Sequence, residues 1–124
     1  IKDMKLEGYY YNLIDRNTDE NGSTFRITLL KECDIYTGHF PGHPVCPGVC
    51  NMQIVKECAE RLVGKTLHIS YIRQCRLIAL ATPVICSELV VWVKLEPMEA
   101  GYSIVATIAD AEHIYMEYKG NMTV

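Results

Sequence analysis

The chain has 124 residues, 49% of them hydrophobic and 22% charged, with a net charge of −3, which suits one compact domain with a sizeable core rather than two. Acids and bases are interspersed along the chain, so there is neither a basic stripe for nucleic acid nor a polybasic patch for a membrane surface. The longest apolar runs, such as Leu77–Ala81 and Leu89–Val93, fall far short of the roughly 20 residues that a membrane-spanning helix requires, and no charged-then-apolar leader opens the chain, so a cytoplasmic location is expected.

In chain order, Gly8-Tyr9-Tyr10-Tyr11-Asn12-Leu13-Ile14-Asp15 is aromatic and β-branched and predicts a first strand. Asn21-Gly22 marks a turn, and Ser23–Leu30 alternates as the returning strand. A loop dense in proline follows. From Pro47 the periodicity changes: Met52, Val55, Ala59 and Leu62 step by helical intervals along one apolar stripe. Pro47 suits the first helical position and Gly64 the C-terminal stop. Cys50, Gln53, Ile54 and Glu57 cover another face, so the helix is expected to touch neighbours on more than one side.

Strand character then returns. Leu67–Leu80 is long for a single strand and Thr82-Pro83 breaks it. Glu88–Leu95 comes next, a turn spans Glu96–Gly101, and Tyr102–Ala109 pairs with His113–Tyr118 across Asp110-Ala111. The sum is an α+β domain over residues 1–124: about six antiparallel strands wrapped around one long central helix. Such an open sheet leaves edge strands, which predicts a homodimer made by edge pairing and leaves room for a higher oligomer.

The chain carries six cysteines: Cys33, Cys46, Cys50, Cys58, Cys75 and Cys86. Buried reduced thiols account for them best in a cytosolic chain this apolar. No Cys-x-x-Cys pair or Cys/His cluster is present, so no metal site is expected. Cys46 and Cys50 stand at a helix start, where the dipole depresses a thiol pKa, and are the candidates for a nucleophilic cysteine.

The segment His39-Phe40-Pro41-Gly42-His43-Pro44-Val45-Cys46-Pro47-Gly48-Val49-Cys50 says most about function. Its prolines stiffen a loop that presents His39 just ahead of a helix N-terminus, whose free backbone N–H groups can hold a developing oxyanion. Imidazole titrates near neutral pH, which suits it to proton abstraction.

This segment resembles the signature of the bacterial 3-hydroxyacyl-(acyl carrier protein) dehydratases, His-Phe-Pro-Gly-His-Pro-(apolar)-Met-Pro-Gly-Val-Leu-x-x-Glu. The match runs from His39 through Val49, with Cys46 in place of the usual Met and Cys50 in place of the usual Leu. The resemblance implies the hotdog fold and dehydration of 3-hydroxyacyl thioesters, without a metal or other cofactor. It assigns His39 as base, the Gly48 N–H as donor to the thioester carbonyl, and Phe40, Pro47 and Val49 as substrate-binding residues. It also implies acyl carrier protein, bearing an acyl-phosphopantetheine, as partner; Lys65, Arg73 and Arg76 are weak contributors to a basic patch for that acidic carrier.

One position departs from the pattern. Where the family carries its catalytic carboxylate this chain has Gln53, an amide that forms hydrogen bonds but transfers no proton near neutral pH. In the family's dimer the histidine of one subunit meets the helix carboxylate of the other, so His39 and Gln53 of different copies would share a site. A single imidazole that takes the C2 proton and returns it to the departing hydroxyl replaces the missing acid. Glu57, one turn past Gln53, is expected to be a solvated or interface glutamate. Two other functions compete: an acyl-binding hotdog subunit that has lost activity or partners an active paralogue, and a thioesterase, for which only Glu57 offers a water-positioning carboxylate.

Overall fold

The computed structural model describes residues 5–33, 35, 48–79 and 88–124. The predicted His39–Pro47 loop and the Thr82-Pro83 break lie outside these residues. Strands β1 (Tyr11–Asp19) and β2 (Gly22–Leu29) form a hairpin; helix α1 (Gly48–Val63) follows, then β3 (His68–Leu77), β4 (Glu88–Met98), β5 (Gly101–Ala109) and β6 (Ile114–Thr123). The strands make one antiparallel sheet in the order β1-β2-β4-β5-β6-β3. The α+β expectation holds.

Alternation decides which face is buried. Phe25 and Ile27 on β2, Leu89, Val91 and Val93 on β4, Ile104, Ala106 and Ile108 on β5, and Met116, Tyr118 and Met122 on β6 are all buried, and ladder pairs such as Phe25–Val91, Val93–Ala106 and Ala106–Tyr118 put them on one side. That side receives α1, which buries Cys50, Ile54, Val55, Cys58 and Ala59 in the same core. The helix begins against the end of β3: a Cβ on Gly48 would stand 2.7 Å from Leu77 Cδ1.

Four boundaries move from their predicted places. Gly8–Tyr10 form a turn rather than a strand, because Gly8 takes φ 87° and the Tyr9 and Tyr10 N–H groups donate to the Leu6 carbonyl; a local hydrogen-bonded turn overrides the strand preference of tyrosine. The hairpin reverses over Glu20-Asn21, with Gly22 already paired to Asp19. A side chain at Gly22 would meet Trp92 Nε1 at 2.8 Å, so glycine there admits the indole. β4 runs on to Met98, and β6 continues past Tyr118 to Thr123, pairing with both β5 and β3.

Candidate active site

The polar side chains of α1 divide into two groups. Asn51 lies on the buried face, 3% exposed, and among the described residues neither its Oδ1 nor the buried Tyr118 hydroxyl has a hydrogen-bond partner. Gln53 lies at the flank of the buried face and is half-buried, and its Nε2 donates to Glu57 Oε2 at 2.9 Å. One turn separates the two residues, which is the spacing that lets helical side chains meet.

Glu57 overturns the expectation of a solvated or interface residue. It is 4% exposed, and both carboxylate oxygens are occupied. Oε1 accepts from the Glu7 N–H at 3.0 Å and the Tyr11 hydroxyl at 2.9 Å; Oε2 accepts from the Leu6 N–H at 2.7 Å and from Gln53. The carboxylate therefore pins the Leu6–Tyr11 turn onto the helix. A signal for this exists in the sequence: Glu57 falls between Ile54 and Cys58 in the helical phase of the buried residues, where a carboxylate persists only if donors meet it.

Burial is the main cause that lifts the Tyr11 phenol and the Cys58 thiol well above their ordinary ranges, and the negative charge of Glu57 adds to both shifts. Cys58 is thereby kept a neutral thiol, and Cys50 is buried too. Cys46 lies outside the described residues. Beyond Glu57, a polar cleft lined by Lys5, Glu7, Glu60, Arg61, Lys65 and Thr66 opens at the C-terminal end of the helix, where Arg61 pairs with Glu7. Lys65 belongs to this cleft, Arg76 pairs with Glu117 at 3.2 Å, and Arg73 is exposed on β3.

Of the predicted site residues, Gly48 is the first residue of α1 and Val49, 71% exposed, is the second. The first backbone N–H groups of a helix have no intrahelical acceptor. Gln53 is just over one turn further on. His39, Phe40 and Pro47 lie outside the described residues. No group of three or more potential metal ligands occurs among the described residues, and no helix among them is long and apolar enough to cross a membrane.

A six-stranded antiparallel sheet with one helix along its inner face is the hotdog architecture, and solved structures share it. A chain of the dehydratase heterocomplex ApeI:P from Xenorhabdus doucetiae superposes with a TM-score of 0.72 at 18% identity, over 90% of this chain and 96% of that one. An uncharacterized protein from Erwinia carotovora subsp. atroseptica superposes with a TM-score of 0.60 at 16% identity, over 90% and 92%. The family model described as ApeI dehydratase, ApeI-like, matches residues 15–113, and the chain belongs to that dehydratase family. It is also similar to 3-hydroxyacyl-[acyl-carrier-protein] dehydratases FabZ: 37% identical over 73 residues to that of Rickettsia massiliae, and 36% to that of Rickettsia bellii. These alignments cover 54% of this chain and 48% of the relatives, so the chain spans about half the length of the curated relatives it matches.

Proposed function

We propose that the protein dehydrates 3-hydroxyacyl thioesters carried on acyl carrier protein to trans-2-enoyl thioesters, or catalyses the reverse hydration. The observation that carries this reading is the His39–Val49 segment running straight into the N-terminus of the core helix, with Gly48 as the helix's first residue. Family membership and the FabZ relatives support it.

In this reading the Gly48 N–H, aided by the helix dipole, stabilises the negative charge that develops on the thioester oxygen. His39 takes the C2 proton, and the C3–O bond then breaks as the imidazolium returns that proton to the departing hydroxyl. Water leaves, C2=C3 forms, and the imidazole is regenerated. Gln53 orients the hydroxyl, while Phe40, Pro47 and Val49 shape the thioester end of the site. A second copy pairs along β3 and, as the family resemblance implies, His39 of one protomer works with Gln53 of its partner. The support for the pairing itself is an edge strand on which Tyr71 and Leu77 are each 56% exposed. Lys65, Arg73 and Arg76 face the acidic carrier, and the site needs no cofactor.

The test is the loss of enoyl absorbance when a trans-2-enoyl thioester is added. Wild type consumes it, and His39→Ala slows consumption by roughly 10²- to 10⁴-fold, the usual worth of a positioned base. Turnover unchanged in His39→Ala overturns the mechanism, and release of free thiol assigns a thioesterase instead. The replacement of the family carboxylate by Gln53 favours one alternative, an acyl-binding subunit that is inactive alone. Its mark is no turnover in wild type and recovery in Gln53→Glu.

A further inference from the structure

Glu57 takes no part in the steps above, yet it holds Gln53, the helix side chain that orients the hydroxyl in them. An ionised carboxylate has acceptors only, with room for about four donors, and here four donors fill it: two backbone N–H groups, the Tyr11 hydroxyl and Gln53 Nε2. Turning the Gln53 amide over would set its oxygen against a carboxylate oxygen at 2.9 Å, a contact between two acceptors. Glu57 cannot swing aside to relieve it, because Leu6, Glu7 and Tyr11 grip both its oxygens. The planar amide therefore directs Oε1 away from Glu57, and among the described residues Oε1 has no hydrogen-bond partner.

We infer that Glu57 is a positioning residue that fixes the polarity of Gln53, so that the site offers a substrate an acceptor rather than a donor. The inference rests on the dehydratase reading and deepens it. An acceptor at this place selects an acyl chain bearing a hydroxyl on C3: the hydroxyl donates to Oε1, whereas a saturated chain gives nothing and a 3-oxo chain sets one acceptor against another. It also explains how a site without a carboxylic acid at position 53 manages the leaving group. With its O–H turned to Gln53, the hydroxyl presents its lone pairs to the imidazolium that protonates it.

The experiment measures equilibrium binding of 3-hydroxyacyl-, 3-oxoacyl- and saturated acyl-pantetheine of equal chain length in a His39→Ala background, which prevents turnover. The 3-hydroxyacyl ligand should bind about fivefold more tightly than the other two, the usual net worth of one hydrogen bond. Adding Glu57→Gln lets an amide N–H face Gln53 and invites its oxygen inward; the preference should fall to about one, with saturated acyl affinity within about twofold. Exchanging the pair, Gln53→Glu with Glu57→Gln, should restore the preference, because the amide then donates to the carboxylate and an acceptor again faces outward. A preference that survives Glu57→Gln, or parallel loss of all three affinities, overturns the assignment. Should Glu57→Gln fail to fold, the Gln53 side-chain amide protons of the wild-type chain decide by NMR. One should be shifted downfield and protected from exchange; two similar, fast-exchanging protons overturn the proposal. Absence of binding by any of the three ligands overturns the dehydratase reading instead, and the amide protons still report on the contact with Glu57.

Discussion

Tyr11 and Cys58 lie beside the Glu57 carboxylate, and burial, reinforced by that charge, holds both in their protonated forms. A group whose pKa rises on folding lends stability below its unfolded pKa and withdraws it as the pH climbs beyond. Unfolded thiol and phenol titrate near 9 and 10, so stability should be flat from pH 7 to about 8.5 and fall above that. The slope should approach about 1.4 kcal/mol per pH unit for each group left protonated in the fold. Urea unfolding at several pH values checks this, with Tyr11→Phe giving the shallower decline; parallel slopes in variant and wild type refute it. Helical phase signals the burial of Glu57 but not its partners, because alternation and phase report burial, not which hydrogen-bond donors come to meet a buried carboxylate.

At the scale of elements, β3 is the part whose form the sequence left most open. Leu67–Leu80 read as one overlong strand; the structure ends it at Leu77 and bends it through two register shifts, between Ile69 and Tyr71 and between Ile72 and Gln74. Bulges of this kind curve an edge strand, and Gly120 on β6 is what lets β3 come close. A Cβ there would lie 2.3 Å from the Tyr71 carbonyl oxygen and 3.2 Å from Ile72 Cα, both backbone atoms. Gly120→Ala should therefore cost about 2–3 kcal/mol, at the upper end for an overpacked site. Hydrogen exchange should show the lost protection concentrated in β3 and β6, and uniform protection across the sheet would contradict it. The helix was far easier to read, since one apolar stripe, Pro47 as a first helical residue and Gly64 as a stop mark it within the chain itself.

For the molecule as a whole, four of the exposed large apolar side chains among the described residues lie on and just after β3, Tyr71, Ile72, Leu77 and Ile78, and Val49 at the start of the helix is exposed as well. An edge strand with this surface, paired on one side only among the described residues, is a template for a second strand. Sedimentation of wild type should give a dimer, and Ile72→Lys should shift it to monomer at micromolar concentration with the fold retained by circular dichroism. An Ile72→Lys variant that remains dimeric removes β3 as the interface. If the active site is shared between protomers, the same variant also loses turnover.

The amino-acid order alone determined the elements and the motif: alternation and helical stepping are local, and a proline- and glycine-rich run from His39 to Val49 is recognisable wherever it occurs. It also exposed the missing acid at Gln53. What only the tertiary structure decided is the environment of that residue. Glu57 is a plain helix glutamate until Leu6, Glu7 and Tyr11, some 50 residues earlier, deliver their donors to it. Hydrogen bonds across such separations depend on how the chain closes on itself, so they leave no period or spacing in the sequence that would announce them.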